Sequence, residues 1–365
     1  MTNGNVWNYF NPVKIEYRPL ENLSTYKFAR NILIVTTDGF IRRGTVGLIK
    51  SMLKSSNIFV CTDFCPNPNV KDVADCVDHF KSKSIGHVIG LGGGSALDVS
   101  KVVAIMLKNS DYQLDDLVNP NNNHLLKNMT RLPLIAVPTT AGTGSEVTPF
   151  ATLWDHNNHK KISISSNYMF PDTALLDPDL TRTLNYDQTL YPALDAMSHA
   201  VESLWNKNRT PVTISLALRS LLLINKTLPD LLVNLDDLNL RKNIQIASLL
   251  SGLAISQTKT AIAHSISYPL TAHFGIPHGL ASSFTLATIL RLNVKWEWTP
   301  KEFISLMRDA REILVNLSLR DKIFEYTTRE QILIKQEEMW TVGRADNYIG
   351  APIVSLHALL SEALD

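Results

Sequence analysis

Short apolar runs alternate with amphipathic stretches through the first half of the chain. Four runs have the length and β-branched content of buried strands: NILIVTT from Asn31, NIFVCTDF from Asn57, HVIGLGG from His87 and LPLIAVPTT from Leu132. The stretches IRRGTVGLIKSMLKSS, VKDVADCVDHFKSKS and ALDVSKVVAIMLKN between them have helical spacing. Strands that alternate with helices predict a mostly parallel sheet that is covered by helices on both faces.

The pattern changes after about Asp179. Four long stretches, which begin at Tyr186, Thr213, Leu238 and Lys259, repeat apolar residues at helical spacing with little strand signal. A chain of 365 residues also favours two domains over one. We therefore predict an α/β domain over residues 1–183 and an all-helical domain over residues 184–365.

Composition argues against several classes of protein. The chain has 35 Lys plus Arg and 34 Asp plus Glu, so its net charge gives no reason to expect nucleic acid or an anionic membrane as a partner. No segment reaches the roughly 18 to 20 apolar residues of a membrane span, and the polar N-terminus lacks a signal-peptide core, which indicates a cytoplasmic protein. Cys61, Cys65 and Cys76 argue against a disulfide framework, and we expect three free thiols.

A first Gly-rich loop, GLGGGSALDVSK, joins a predicted strand to a helix. Gly92, Gly93 and Gly94 would let backbone N–H groups approach an anion, and Ser95 would cap the helix, whose N-terminus favours negative charge. The run departs from G-x-G-x-x-G, so taken alone it is also compatible with a plain tight turn. As an anion site, it suits a pyrophosphate.

A second loop, PTTAGTGSE, follows the next buried strand. Thr139, Thr140 and Thr143 offer hydroxyl donors, although a capped helix start is the alternative. Because ligands of open α/β sheets bind at the carboxyl ends of the strands, the two loops together favour a nucleotide cofactor. Asp38, after the first strand, could accept hydrogen bonds from an adenosine ribose and so favours NAD over NADP; the alternatives are a turn residue, or Thr37 at the ribose.

One carboxylate and three histidines have the chemistry of metal ligands. Asp195 and His199 are four positions apart in the helical stretch YPALDAMSHAVESLW, which places them on one face. His264 lies in an Ala-rich helix, where a bulky polar ring needs a partner, and His278 lies in the turn GIPHGLA. Each residue alone is compatible with a buried hydrogen bond. Together they form a donor set that suits Fe(II) or Zn(II) better than Mg or Ca.

Four segments, in this order and spacing, resemble the iron-containing (group III) alcohol dehydrogenases: GGGSALDVSK at 92–101, PTTAGTGSEVT at 138–148, DAMSHAVE at 195–202 and AHSISYPLTAHFGIPHG at 263–279. The resemblance covers nearly the whole chain. It implies the dehydroquinate synthase-like fold, with an N-terminal α/β nucleotide-binding domain and an all-α metal- and substrate-binding domain. It also implies hydride transfer between a nicotinamide and a small aldehyde or alcohol, with metal and nicotinamide in a cleft between the domains.

The resemblance also implies roles for individual residues. The metal ligands carried over by position are Asp195, His199, His264 and His278. The cofactor contacts carried over are Gly92, Gly93, Gly94, Ser95, Thr139, Thr140, Thr143 and Lys161, with Asp98 as a contact or as a support of the loop. The cofactor is NAD(H), with NADP(H) as the alternative, and the assembly is a homodimer or a higher homo-oligomer.

The chain departs from the family at Tyr268. Many relatives carry a further histidine there, four residues beyond His264, and it is often drawn as a proton relay. We predict that Tyr268 and His264 are the catalytic pair, since a phenol can pass a proton although its unperturbed pKa is about 10. The cofactor ribose, water, or a mere packing role for Tyr268 are the alternatives. His273 matches no ligand position.

Three segments, VWNYFNPVKI, SYPLT and GRADN at 343–347, are similar to the subgroup that reduces phosphonoacetaldehyde to 2-hydroxyethylphosphonate. A phosphonate needs a cationic partner, preferably an arginine fork, and Arg344 and Arg182 are either candidates or plain surface residues. The alternatives are a general short-chain alcohol or diol dehydrogenase, a 3-dehydroquinate synthase-like lyase and a non-catalytic nucleotide-binding protein.

Overall fold

The computed structural model describes residues 6–119, 122, 125–127, 129–297 and 299–365. These residues divide into two compact units. The sheet unit comprises Pro12–Thr140 and Ser145–Thr181, and the helical unit comprises the described residues up to Asn11, Ala141–Gly144 and Arg182–Asp365. The division into functional domains at residues 183 and 184 stays a prediction.

The sheet unit contains a six-stranded parallel sheet and an antiparallel hairpin. The strands are β1 (Lys14–Tyr17), β2 (Asn31–Val35), β3 (Asn57–Cys61), β4 (His87–Gly92), β5 (Leu134–Pro138), β6 (Phe150–Asp155), β7 (Lys160–Ser165) and β8 (Thr173–Leu176). The sheet order is β1-β8-β5-β4-β2-β3, and β6 pairs with β7 in the hairpin. The four predicted strands are β2 to β5, which confirms the parallel sheet.

Both faces of this sheet are covered. Leu33 and Val35 of β2 pack into one apolar cluster, and Ile32 and Ile34 pack into another. The unit's helices are α1 (Asp38–Arg42), α2 (Thr45–Met52), α3 (Val70–Lys81), α4 (Gly94–Lys108) and α5 (Leu114–Val118). The single helix predicted from Ile41 is wrong, because Gly44 adopts a left-handed φ of 81° between α1 and α2.

The cysteines also differ from the prediction. Cys61, at the end of β3, and Cys76, on α3, are paired as a disulfide, while Cys65 is free and exposed. The expectation of three free thiols is therefore wrong for two of them. Both side chains belong to one apolar cluster of the sheet unit, and residue counts and spacing do not reveal that they meet there.

The helical unit packs around one apolar core. Its helices are α6 (Tyr186–Leu204), α7 (Pro211–Val233), α8 (Leu238–Thr258), α9 (Ile262–Phe274), α10 (His278–Ser283), α11 (Leu286–Val294), α12 (Lys301–Asn316), α13 (Leu319–Phe324), α14 (Arg329–Ile334) and α15 (Leu356–Leu364). Every named strand belongs to the sheet unit, so the predicted fold class is confirmed. Across the described residues, no helix has both the length and the apolar character that a membrane span requires.

Candidate functional site

Three helices of the helical unit bring the four predicted metal ligands together. Asp195 and His199 lie on successive turns of α6, His264 lies in the first turns of α9, and His278 is the first residue of α10. The Nε2 atoms of the three histidines lie 3.7, 3.3 and 3.8 Å, in chain order, from Oδ1 of Asp195. One carboxylate oxygen is therefore faced by three imidazoles, although their role as ligands stays a prediction.

The close approach of α10 to α6 positions His278. A Cβ atom on Gly279 would lie 1.9 Å from the backbone oxygen of Tyr191, so only glycine fits there. Ser282, one turn along α10, donates a hydrogen bond of 3.2 Å to Oδ1 of Asp195. Gly279 of the Pro-His-Gly turn thus permits the close backbone contact that places the imidazole of His278 near the carboxylate of Asp195.

The donor atoms fit a metal ion of the predicted kind. Asp195, His199 and His264 are buried, and one donor atom from each lies within 4.8 Å of the others. Among the described residues, Nε2 of His264 takes part in no hydrogen bond, although it is buried. Buried polar atoms without partners cost free energy, which a bound cation would offset. Three imidazoles and one carboxylate suit Fe(II) or Zn(II).

Burial and charge together set the protonation of this cluster. Burial lowers the pKa of His199 to about 4, against the opposing charge of Asp195, so this imidazole is neutral and able to donate a lone pair. Burial opposes charge on His264 too, but Glu202 and Asp195 outweigh it and raise the pKa of His264 to about 10. Burial favours the protonated form of Asp195, but the three histidines outweigh it and lower the pKa, which keeps the carboxylate ionised.

Glu202 is the residue of this cluster that the sequence reasoning missed. It is buried on α6, and its Oε2 lies 2.7 Å from Nδ1 of His264. Its two oxygens also accept the backbone N–H groups of Ala261 and Ala263. These contacts orient the imidazole so that Nε2 faces Asp195, as a carboxylate behind a metal-bound histidine does. The spacing was a usable signal, since residues 195, 199 and 202 share one helix face.

Tyr268 and His273 lie further along α9. The ring of Tyr268 stacks on His278, with ring centroids 6.1 Å apart and 15° between their planes. Tyr268 therefore borders the cluster, and its catalytic role stays a prediction. His273 lies near the other end of the helix, where its Nε2 is 2.7 Å from Oε2 of Glu338, whose side chain is half exposed.

In the sheet unit, the predicted cofactor residues follow three neighbouring strands. Strands β5, β4 and β2 are adjacent and parallel, so their carboxyl ends meet at one edge of the sheet. The residues at this edge are Asp38 after β2, Gly92, Gly93, Gly94 and Ser95 at the end of β4, and Thr139 and Thr140 after β5. A Cβ atom on Gly93 would lie 3.0 Å from Oγ1 of Thr140, so the two Gly-containing loops are in contact.

The helix start after β4 differs from the prediction. Gly93 is the N-cap of α4, and Ser95 is already the second helical residue, so the prediction that Ser95 caps the helix is wrong. Gly94 is already helical, so the N-cap lies at Gly93, two positions before the hydroxyl of Ser95. Ser95 Oγ instead accepts the backbone N–H of Asn67 at 3.3 Å.

Asp98 and Lys161 also belong to the sheet unit. Asp98, on α4, accepts hydrogen bonds from Ser145 Oγ at 2.6 Å and from the backbone N–H of Thr152 at 2.8 Å. Both carboxylate oxygens thus hold protein groups, which favours the supporting role over direct contact with a cofactor. Lys161, on β7, has its Nζ 5.9 Å from the ring of Trp154.

Two further residues qualify the cofactor prediction. Thr143 belongs to the helical unit, whereas Thr139 and Thr140 of the same motif belong to the sheet unit. Lys101 was missed: it is fully buried, and its Nζ donates to the carbonyl oxygens of Phe150 at 2.7 Å and Thr148 at 3.1 Å. Burial lowers the pKa of Lys101 to about 8. Helical periodicity did not reveal this burial, because a lysine is almost never fully buried unless it is paired.

Two family models match the chain. One is described as iron-containing alcohol dehydrogenase and matches residues 15–178. The other is described as Fe-containing alcohol dehydrogenase family, C-terminal, and matches residues 189–332. Together they cover most of both compact units.

Individual relatives agree with the family models. The chain is 34% identical over 265 residues to the probable alcohol dehydrogenase EutG of Escherichia coli, covering 72% of this chain and 66% of that protein. It is 34% identical over 253 residues to a sulfoacetaldehyde reductase of Bilophila wadsworthia, covering 69% of this chain and 64% of that protein. The aligned stretches therefore span about two thirds of these two relatives.

A solved structure matches over nearly the full length. It is the crystal structure of sulfoacetaldehyde reductase from Bifidobacterium kashiwanohense in complex with NAD+, with a TM-score of 0.85 and 28% sequence identity. The match covers 99% of this chain and 98% of that one.

Proposed function

The chain belongs to the iron-containing alcohol dehydrogenase family, and from that premise we propose that it is a metal-dependent, NAD-linked reductase of phosphonoacetaldehyde. The family places it among oxidoreductases that act on CH–OH groups. The observation that carries the proposal is the cluster in which Asp195 is faced by the buried His199 and His264 and by the partly buried His278. Such a donor set suits a Lewis-acidic ion beside a carbonyl oxygen.

Each residue of the cluster has a separate task in the proposed reaction. When bound, Fe(II) or Zn(II) supplies Lewis acidity toward the carbonyl oxygen, and the reduced nicotinamide supplies the hydride. Asp195 and the three histidines hold the ion, and Glu202 keeps His264 in the tautomer that presents Nε2. Tyr268, whose ring stacks on His278, passes the proton that completes the alcohol.

The sheet unit supplies the cofactor contacts in this proposal. Backbone N–H groups at the start of α4 bind the pyrophosphate, and Asp38 accepts hydrogen bonds from the adenosine ribose, which favours NAD(H) over NADP(H). The other proposed cofactor contacts are Gly92, Gly93, Gly94, Ser95, Thr139, Thr140, Thr143 and Lys161. Asp98 supports the first loop through its bonds to Ser145 and Thr152.

Two observations support an anionic substrate. The segments VWNYFNPVKI, SYPLT and GRADN resemble the phosphonoacetaldehyde-reducing subgroup. Two of the similar proteins are named sulfoacetaldehyde reductases, and sulfoacetaldehyde is likewise a two-carbon aldehyde with a tetrahedral acidic group. A general short-chain alcohol dehydrogenase is the second candidate, favoured by the similarity to EutG.

An aldehyde panel tests the proposed reaction. Metal-loaded protein is assayed with phosphonoacetaldehyde, sulfoacetaldehyde and propanal, each with NADH and with NADPH, by nicotinamide absorbance. We expect the highest kcat/KM for phosphonoacetaldehyde with NADH. Fast turnover of propanal without turnover of phosphonoacetaldehyde would reject the substrate, and failure to reduce any aldehyde would reject the reductase itself.

We further propose that the enzyme works in the cytoplasm as a homodimer. The family resemblance supports the dimer, and the balanced charge of the chain supports the location. Light scattering of the purified protein should give twice the mass of one chain, and a mass of one chain would reject the dimer.

A further inference from the structure

Arg344 lies beside the candidate metal centre. Its Cζ is 4.4 Å from the ring centroid of Tyr268, and Tyr268 stacks on His278, a predicted metal ligand. The side chain of Arg344 is half-buried. A guanidinium therefore lies two ring contacts away from the cluster that would hold the substrate's carbonyl oxygen.

The N–H groups of this guanidinium have no protein acceptor in the described part of the chain. The guanidinium of Arg344 instead lies over the face of the Tyr268 ring. Other arginines of the fold are engaged: Arg241 donates to Thr189 Oγ1 and two carbonyl oxygens, and Arg131 forms a fork with Asp172. Arg344 thus keeps its planar donor edge available, while its face rests on an aromatic ring.

Hydrogen bonds connect the residues around Arg344 to residues near His264. The N–H of Thr341 donates to Ser265 Oγ at 2.8 Å, and Asn347 Nδ2 donates to the carbonyl oxygen of Thr260 at 2.9 Å. Asn347 N–H also donates to the carbonyl oxygen of Arg344 at 2.8 Å. Arg344 is therefore held in place against α9, unlike an arginine on a loose surface loop.

We propose that Arg344 binds the acidic group of the substrate and so selects aldehydes that carry a phosphonate or a sulfonate. The inference rests on the proposed function and names the residue behind its substrate class. A guanidinium matches two oxygens of a tetrahedral anion with two parallel N–H bonds. In this proposal the acidic group lies at Arg344 and the carbonyl oxygen, two carbons away, lies at the metal centre. The ring of Tyr268 acts as a positioning surface for the guanidinium.

Replacing Arg344 should change substrate preference more than it changes catalysis. The readout is the ratio of kcat/KM for phosphonoacetaldehyde to kcat/KM for propanal. In Arg344→Gln this ratio should fall about 100-fold, since a charge-assisted bidentate contact is lost. Arg344→Lys should recover part of the loss, because it keeps the charge without the fork.

Arg182 is the other arginine that the sequence suggests for the acidic group, so its variant is the comparison. It is exposed, and like Arg344 it is an arginine of the helical unit. Arg182→Gln should leave the ratio within about twofold. A 100-fold fall in Arg182→Gln with no change in Arg344→Gln would overturn the proposal.

Variants of Tyr268 separate its hydroxyl from its ring. Tyr268→Phe keeps the face under Arg344 and removes the proton donor, so turnover of both aldehydes should fall while their ratio stays within about threefold. Tyr268→Leu removes the ring as well, so the ratio should fall about tenfold. Equal ratios in the two variants would exclude the ring as a positioning surface.

A binding measurement makes the test independent of turnover. Calorimetric titration of metal-free protein with 2-hydroxyethylphosphonate should give at least tenfold weaker binding to Arg344→Gln than to the unaltered protein. Equal binding would overturn the inference. If the unaltered protein reduces only neutral aldehydes, the proposed substrate is rejected before the role of Arg344 is tested. If it reduces sulfoacetaldehyde faster than phosphonoacetaldehyde, the acidic group is a sulfonate and the role of Arg344 stands.

Discussion

The candidate metal centre and the candidate cofactor edge are built from different parts of the chain. The metal centre consists of the buried side chains of Asp195, His199 and His264 and the partly buried His278, so metal binding should depend on individual side chains. The cofactor edge consists chiefly of backbone at the ends of β2, β4 and β5, where glycines keep space open. Metal binding should therefore be lost when a side chain is shortened, and cofactor binding should weaken when a side chain is added to one of the glycines.

The two sites also differ in how strongly their charged groups are buried. Burial and neighbouring charges move the pKa of His199 to about 4 and that of His264 to about 10. Asp38, at the cofactor edge, is exposed. Charge is costly to misplace in the buried cluster and well screened at the edge, so substitutions of charge should have unequal effects.

The largest effect short of removing a ligand is expected from Glu202→Gln. This change keeps the shape but removes the negative charge behind His264, and metal affinity should fall about 10- to 100-fold. Competition with a chelator measures it. Glu338→Gln is the matched control, because Glu338 pairs with His273 at the same 2.7 Å but with its side chain half exposed. Equal losses of metal in both variants would contradict the assignment of Glu202.

A smaller effect is expected at the cofactor edge from Gly93→Ala. The added Cβ would lie 3.0 Å from Oγ1 of Thr140, where the backbone is proposed to approach the pyrophosphate. The KM for NADH should rise about tenfold while metal content stays unchanged. Gly47→Ala is the control, because a Cβ there would meet no other part of the described chain within 4 Å. An unchanged KM in Gly93→Ala would place the pyrophosphate elsewhere.

The smallest effect is expected from Asp38→Asn. Asp38 begins α1, near the exposed Arg42 and Arg43, which could meet a 2′-phosphate once the acid is removed. The ratio of kcat/KM with NADH to that with NADPH should fall about fivefold. Kinetics with both cofactors measure this ratio, and no change would shift the ribose contact to Thr37.

The sequence predicts the centre of the fold well because buried parallel strands are continuous apolar runs. Strands β2, β4 and β5 have this character, whereas β3, at the edge of the sheet, is an apolar run that is only partly buried. The hairpin of β6 and β7 was missed, since exposed and polar residues such as Lys160 and Lys161 interrupt its pattern. The break at Gly44 was missed because helical spacing continues across it.

At the candidate metal centre, the sequence pointed to the four residues that the structure brings together but not to the residues that support them. Asp195 and His199 are visible as a pair on one helix face, and Glu202 shares that face, but only its contact with His264 reveals what it supports. The pairing of Tyr268 with Arg344 joins residues 76 positions apart in three dimensions, so spacing could not reveal it. Long-range packing of this kind has no local signal.

Metal content per chain tests the central claim most directly. Elemental analysis should find about one Fe or Zn per chain in the unaltered protein, and far less in alanine variants of Asp195, His199, His264 and His278, with loss of aldehyde reduction. His273→Ala, with circular dichroism to check folding, should keep the full metal content. A folded His264→Ala or His278→Ala protein with a full equivalent of metal and undiminished activity would contradict the account.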